Sequence, residues 1–157
     1  PSRAGVTIKP ATYNELSKHE RIVAVKEANG DLSSVAETKY LCGDDLDIYS
    51  GNDDQIVPAM SLGAKGVISV LSNVLPKEAG NMAAAALSGD FETAAALQLR
   101  LLPLIEALFC EVNPIPVKTA VSKMGFCNNE FRMPLCPMDA SDDEKLFALM
   151  REQGLIK

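Results

Sequence analysis

Three short apolar runs lie in the first half of the chain, at residues 22–25, 47–49 and 67–71, and they are rich in β-branched side chains. A helix-like segment lies next to each run, and this alternation is typical of strand–helix units with parallel strands. The pattern therefore predicts an α/β fold with three βα units over residues 1–89.

Turn and capping residues mark the ends of the helices in these units. Asp31 or Ser33 can cap a short helix that runs to about Tyr40. The next helix is expected to end near Leu62, and the third to begin at Pro76, because a missing N–H is tolerated in the first helical turn.

After residue 89 the strand signals stop and helical periodicity takes over. Asp90 is predicted to cap a long helix, FETAAALQLRLLPLIEALF, in which Pro103 should produce a kink. A second helix is predicted between residues 114 and 125, where a pair of prolines opens the segment and a glycine closes it.

A capping box of Ser141 and Glu144 is predicted to open the last helix. The chain thus divides into a βα part, residues 1–89, and an α-helical part, residues 90–157.

Three strands are too few for a parallel sheet with both faces covered, which normally occurs in a doubly wound sheet or a closed eight-stranded barrel. The remaining strands are therefore expected to be missing or to come from another chain.

Composition excludes several classes of protein. The chain has 157 residues and a net charge of -6, with no cluster of Lys and Arg, so neither nucleic acid nor an anionic membrane is expected as a partner. The longest apolar stretch, residues 83–87, is too short to cross a bilayer. The four cysteines show no C-x-x-C pair, and reduced, mostly buried thiols in a cytoplasmic protein are expected.

Lys26 is a charged residue directly after an apolar run, and two interpretations are open. A lysine at a strand end can extend its ammonium into water, which is a purely structural role. Alternatively, barrels and open α/β sheets place their chemistry at the carboxyl ends of strands, where a desolvated amine can attack a carbonyl and form a Schiff base. The adjacent Glu27 would point to the other face of the sheet and is expected to be structural.

Other polar motifs give weaker signals. The acidic segment GDDLDIYSGNDD lacks the spacing of a calcium loop, so no metal site is predicted. His19 lies in a polar stretch and is expected to be solvated. Arg3 could clamp a carboxylate if its loop lies at the same mouth as Lys26.

The segments PSRAG, VKEANGD, YSGNDD, GVISVLSNVLP and EVNPIPVK together resemble the dihydrodipicolinate synthase family in order and spacing. The resemblance implies the C-terminal part of a (β/α)8 TIM barrel, with three visible βα units as its last strands, followed by a three-helix extension. It also implies that Lys26 on the sixth strand is the Schiff-base lysine. Arg3 would receive the carboxylate of an aldehyde substrate, Gly51 would lie near pyruvate, and the main-chain carbonyl of Ile68 would face the site.

The family resemblance implies a lyase reaction without a cofactor, the condensation of pyruvate with aspartate semialdehyde in lysine (diaminopimelate) biosynthesis. Two alternatives stay open. One is another pyruvate-dependent class I aldolase, such as an N-acetylneuraminate lyase-like enzyme or a keto-sugar-acid aldolase. The other is a non-catalytic half-barrel that serves as an interaction module.

The family's N-terminal half has no counterpart in this sequence. This chain alone is therefore predicted to be inactive. It is expected to work as a homo-oligomer or with a complementing N-terminal half-barrel.

Overall fold

The computed structural model describes residues 3–157, and Pro1 and Ser2 lie outside the described part. It shows an α/β protein with three short parallel strands and seven α-helices in that range. The strands are β1 Ala24–Glu27, β2 Asp47–Ser50 and β3 Gly66–Val67. The helices are α1 Pro10–Leu16, α2 Leu32–Cys42, α3 Ile56–Ser61, α4 Pro76–Leu87, α5 Phe91–Ala107, α6 Ile115–Lys123 and α7 Ala140–Glu152.

The described residues form two compact units. Unit 1 comprises residues 3–69 and 81–98 and holds all three strands. Unit 2 comprises residues 70–80 and 99–157 and is helical. Within residues 3–157, no helix is both long enough and apolar enough to cross a membrane.

The sheet in unit 1 has the order β1-β2-β3, with every pair parallel. The predicted positions of the first and third strands are wrong in detail. β1 starts at Ala24, because the N–H of Ile22 is bonded within a turn to the carbonyl of His19 at 2.9 Å. β3 contains only two residues, and the chain enters a short 3₁₀ helix at Leu71–Asn73.

The first helix, α1, was not predicted from the sequence. It begins at Pro10, whose missing N–H is harmless in a first helical turn, and it buries Tyr13. Tyr13 joins Cys42 and Leu46 in a small hydrophobic cluster that connects α1 with the end of α2. This cluster covers the helix side of the sheet, since the partly buried Val25 of β1 packs against it.

Two of the predicted helix caps are present. The Asp31 side chain accepts a hydrogen bond from the Ser33 N–H at 2.9 Å, which identifies Asp31 as the cap of α2. At the start of α5, the Asp90 carboxylate accepts one from the Thr93 N–H at 3.0 Å. Hydrogen bonds from Thr93 hold the pKa of Asp90 below its ordinary value.

The predicted capping box of α7 is wrong. The helix begins at Ala140, so Ser141 lies inside its first turn and Asp139 occupies the N-cap position without a side-chain cap bond. The Asp139 N–H donates to the Glu111 carboxylate at 2.9 Å, and this contact from outside the helix holds Asp139 in an extended conformation. Residues 142 and 143 place acids in the first helical turn, where the helix dipole favours them.

The cysteines are less buried than the sequence suggested. Cys42 is buried in unit 1, whereas the other three thiols are exposed. They are Cys110, Cys127 and Cys136. All three lie in the connections after α5 and α6, where backbone runs over the surface and a cysteine has no core to enter.

Gln98 connects α5 with the segment after β2. Its buried side chain donates to the carbonyl of Asp53 at 2.7 Å and accepts from the N–H of Val57 at 3.2 Å. The first turn of α3 has no side-chain cap of its own. Gln98 therefore satisfies backbone groups that would otherwise be buried without partners.

We expect Gln98→Met to destabilise the chain by about 1–3 kcal/mol, because it keeps the side-chain length but leaves two buried backbone groups without partners. The free energy of unfolding in urea measures the effect. The control is Leu99→Met, at a strongly exposed position on the same helix, which should change stability by less than about 0.5 kcal/mol. Equal stabilities of the two variants would contradict the role assigned to Gln98.

Tyr13 lies beside the buried carboxylate of Glu27. Burial, and then repulsion by Glu27 together with a hydrogen bond to it, raise the pKa of Tyr13 to about 12. The folded state thus favours the neutral phenol.

The shift of Tyr13 makes stability depend on pH between about 10 and 12. In this window the unfolded chain loses the phenolic proton first, so the free energy of unfolding should fall as the pH rises. Tyr13→Phe should make this decline shallower, while Tyr40→Phe, at a highly exposed tyrosine, should leave it unchanged. Urea unfolding at a series of alkaline pH values tests this, and an identical decline in Tyr13→Phe would refute it.

Candidate active site

Lys26 is the third residue of β1 and lies in direct register with Tyr49 of β2. Its neighbour Glu27 is buried on the opposite face, as the alternation of a strand requires. The Lys26 side chain is exposed and forms no ion pair with the described residues. The structure therefore presents the Lys26 amine on the sheet face that the helices of unit 1 do not cover.

Gly51 follows β2 and lies against Lys26. Its N–H donates to the carbonyl of Glu27 at 2.7 Å, which continues the ladder between the two strands. A Cβ at this position would lie 2.7 Å from Cε of Lys26 and 2.5 Å from Cβ of Ala28. Because both distances are below van der Waals contact, Gly51 is a glycine for reasons of space, and its absent side chain makes room for Lys26.

Ile68 lies at the same edge of the sheet. It follows β3, and its N–H donates to the carbonyl of Ser50 at 2.8 Å, directly before Gly51. Its side chain is half exposed. The carboxyl ends of three neighbouring strands thus bring Lys26, Gly51 and Ile68 to one edge, which is where parallel sheets place their sites.

Arg3 is the fourth residue expected at the site. It is exposed in a turn ahead of α1. The structure brings Lys26, Gly51 and Ile68 to one edge of the sheet, and the role of Arg3 at the site stays a prediction.

The loops after β1 and β2 are held by residues that were not singled out in the sequence. The Asn29 side chain donates to Ser34 at 3.1 Å, and the Asn29 N–H donates to the Glu27 carboxylate at 3.0 Å. Gln55 then bridges the two loops by donating to the carbonyl of Gly30 at 3.0 Å. The sequence predicts a turn at Asn29-Gly30 and so locates the first loop, whereas the contact of Gln55 spans 25 residues and has no local signal.

Tyr49 is a further residue that the sequence reasoning missed. Residues paired in a parallel sheet project to the same face, so Tyr49 shares the face of Lys26. It is half buried, and a Cβ at Gly66 would touch its ring at 3.5 Å. The alternation of β2, in which Ile48 and Ser50 are buried, is the signal that could have revealed it.

The arrangement offers an amine and no metal-binding cluster. In the part of the chain that the structure describes, no three His, Cys, Asp or Glu side chains are grouped so that they could hold a metal ion. Glu27 is turned away from the amine face, and its Oε1 is engaged by the loop after β1. The chemistry available at this edge is therefore that of a primary amine, which as the free base adds to carbonyl carbons.

A family model and individual relatives both match this chain over nearly its whole length. The sequence model of the Dihydrodipicolinate synthetase family matches residues 1–153. The 4-hydroxy-tetrahydrodipicolinate synthase of Alkaliphilus oremlandii is 50% identical over 156 residues, which are 99% of this chain and 54% of that protein.

Solved structures agree with the sequence match. Dihydrodipicolinate synthase from Aquifex aeolicus matches with a TM-score of 0.96 at 41% identity, over 99% of this chain and 53% of the solved one. The chloride-inhibited dihydrodipicolinate synthase from Acinetobacter baumannii, complexed with pyruvate, matches with a TM-score of 0.96 at 35% identity, over 99% of this chain and 54% of the solved one.

The chain spans about half the length of the relatives it matches. Within that span the match is nearly complete in sequence and in backbone. The predicted resemblance is therefore confirmed, and the chain belongs to the dihydrodipicolinate synthetase family.

Proposed function

We propose that this chain is the catalytic-lysine part of a 4-hydroxy-tetrahydrodipicolinate synthase, a cytoplasmic lyase that condenses pyruvate with aspartate semialdehyde in lysine biosynthesis. The observation that carries the proposal is the contact of Lys26 with Gly51 at the carboxyl edge of parallel strands. Three things support it: the family membership, the names of the relatives, and the pyruvate complex of the Acinetobacter baumannii protein.

We also propose that the three strands are the last three of an eight-stranded barrel. No strand follows β3 in residues 68–157, so α4 is the helix of the last strand–helix unit, and α5, α6 and α7 belong to no such unit. A barrel followed by a helical extension accounts for this order, with residues 1–89 as the end of the barrel and residues 90–157 as the extension. The preceding strands would then come from the half of the relatives that this chain does not match.

The proposed reaction starts with addition of the neutral Lys26 amine to the keto carbon of pyruvate. Loss of water gives an iminium ion, which withdraws electrons and lets a methyl proton leave to a base, so that an enamine forms. The enamine carbon attacks the aldehyde carbon of aspartate semialdehyde, whose carboxylate Arg3 would hold. The amino group of that substrate then closes the ring and displaces Lys26, which regenerates the free amine.

Gly51 and Ile68 would shape the pyruvate end of the site. The missing side chain of Gly51 lets the Lys26 stem lie flat against the end of β2. The main-chain carbonyl of Ile68 would face the bound keto acid from the neighbouring strand. Holding pyruvate and the aldehyde in a reactive arrangement would be the main contribution of these groups.

The chain alone is proposed to be inactive. Schiff-base formation needs the neutral amine, which a desolvated pocket favours, but the Lys26 side chain is exposed among the described residues. The edge strand β1 also has β2 as its only strand neighbour in residues 3–157. A complementing N-terminal half-barrel would cover both the amine and this strand edge, and a homo-oligomer is proposed for the completed protein.

Borohydride reduction in the presence of pyruvate tests the role of Lys26. We expect a covalent adduct on Lys26 when this chain is co-expressed with a polypeptide supplying the unmatched portion of the Alkaliphilus oremlandii relative. We expect much slower trapping with the chain alone, because the amine is then hydrated. Peptide mass mapping locates the adduct. Lys26→Arg should abolish it, whereas Lys65→Arg, at the amino end of β3, should not.

A coupled assay with aspartate semialdehyde then tests the synthase. The complemented pair should condense the two substrates, while the 157-residue chain alone should show no turnover. Turnover by the chain alone would disprove its inactivity. Trapping without turnover on aspartate semialdehyde, but with turnover on a sugar-acid aldehyde, would favour another pyruvate-dependent aldolase.

The contact between Gly51 and Lys26 gives a separate prediction. In the complemented pair, Gly51→Ala should slow trapping of pyruvate at least about tenfold, since the new methyl group displaces Cε of Lys26 from its place. The control is Gly80→Ala, because a Cβ at that exposed helical glycine meets no heavy atom within 4 Å. Trapping at the wild-type rate in Gly51→Ala would show that the contact is irrelevant to the amine.

A further inference from the structure

Lys118 on α6 is half buried and is held in place without a carboxylate partner. Its Nζ donates to the main-chain carbonyl of Glu130 and lies 5.3 Å from the ring centroid of Phe131. Within the described residues, no Asp or Glu oxygen lies within ion-pair distance of this ammonium. A carbonyl and an aromatic face fix the position of the charge but do not neutralise it.

A pocket of about 500 Å³ opens next to this ammonium, and all of its lining residues belong to unit 2. They are Pro114, Lys118, Glu130, Phe131, Arg132 and Leu135. The volume lies within the range of small-molecule sites in proteins. The lining combines an apolar surface with three charged side chains, two of which are cationic.

Arg132 supplies the second cation. Its side chain is exposed, and its guanidinium makes no hydrogen bond or ion pair with the residues that the structure describes. A guanidinium has a planar set of donors that matches a carboxylate or a phosphate in two parallel hydrogen bonds. Contacts within the fold hold the ammonium of Lys118 in place, whereas the hydrogen-bond donors of Arg132 stay available to a ligand.

The charge of the pocket favours an anion. Lys118 and Arg132 contribute two positive charges, and the Glu130 side chain contributes one negative charge. Because the Glu130 carboxylate forms no ion pair with either cation, it lowers the positive potential without saturating a donor. The side chains of Phe131 and Leu135 provide apolar surface for the body of the ligand.

We propose that this pocket, which we call the Lys118–Arg132 pocket, binds a small molecule that carries a carboxylate or phosphate group on an apolar or aromatic body. Arg132 would bind the anionic group through its planar hydrogen-bond donors, and the fixed ammonium of Lys118 would supply the second positive charge. The ring of Phe131 would pack against the apolar body. All of its lining residues belong to unit 2, whereas Lys26 belongs to unit 1, and the proposal does not rest on the proposed reaction.

Titration of the 157-residue chain with phenyl phosphate, benzoate and inorganic phosphate tests the proposal, with binding followed by calorimetry and by NMR shifts. We expect saturable binding of at least one aromatic probe, more tightly than inorganic phosphate because Phe131 contributes packing. Preference for phenyl phosphate or for benzoate identifies which anionic group the natural ligand carries. Binding should weaken as salt is added, as for any exposed ion pair.

Three variants assign the binding to the pocket. Arg132→Gln should weaken the better probe at least about tenfold without unfolding the chain, because its exposed guanidinium forms no ion pair with the described residues. Glu130→Gln should tighten binding several-fold, since it removes the like charge, and a purely structural residue would not produce this gain. The matched control is Arg151→Gln, an exposed arginine on α7 outside the pocket lining, which should bind as the wild type does.

Several results would overturn the proposal. One is the absence of saturable binding for all three probes, and another is unchanged binding in Arg132→Gln. A third is a loss of affinity in Arg151→Gln as large as that in Arg132→Gln, which would indicate attraction by net charge alone. Lys118→Gln is interpreted only together with its thermal unfolding midpoint, because Lys118 also bonds the Glu130 carbonyl. If Lys118→Gln is unfolded, the binding data of Arg132→Gln and Glu130→Gln decide the test.

Discussion

The parallel hydrogen-bond ladder between β1 and β2 is the constraint on which the candidate site depends. It pairs Lys26 with Tyr49 and ends in the bond from the Gly51 N–H to the carbonyl of Glu27. In a parallel pair, directly opposed residues share a face, so one register decides which side chains meet the amine. A slip by one residue would bury Lys26 under the helices and expose Glu27.

The same ladder explains why the chain presents the candidate amine of Lys26 on an open face of the sheet. Helices of unit 1 cover the face that carries Glu27 and Ser50, whereas the face that carries Lys26 stays open in the described residues. A glycine next to the lysine stem is useful only when something must fit closely there. The close approach of Gly51 to Lys26 is therefore consistent with the role proposed for this amine.

Local features of the fold were predicted well where the cause is itself local. Asp31 caps α2, and Asp90 accepts a hydrogen bond in the first turn of α5, because a short polar side chain reaches backbone N–H groups two or three residues away. The capping box of Ser141 failed for the opposite reason. There the Glu111 carboxylate, which lies 28 residues before Asp139 in the chain, binds the backbone of Asp139, and helix α7 starts earlier than its own sequence indicates.

By itself, the sequence determined the α/β class and most helix boundaries, and its resemblance to a family supplied the candidate residues Lys26, Arg3, Gly51 and Ile68. The class and the helix boundaries follow from periodicity and caps, which act over a few residues. Only the tertiary structure decided that Gly51 lies against Lys26, and that Arg132 and Lys118 line one pocket. The physical reason is that such contacts arise from packing between segments distant in sequence, and local patterns carry no information about those distances.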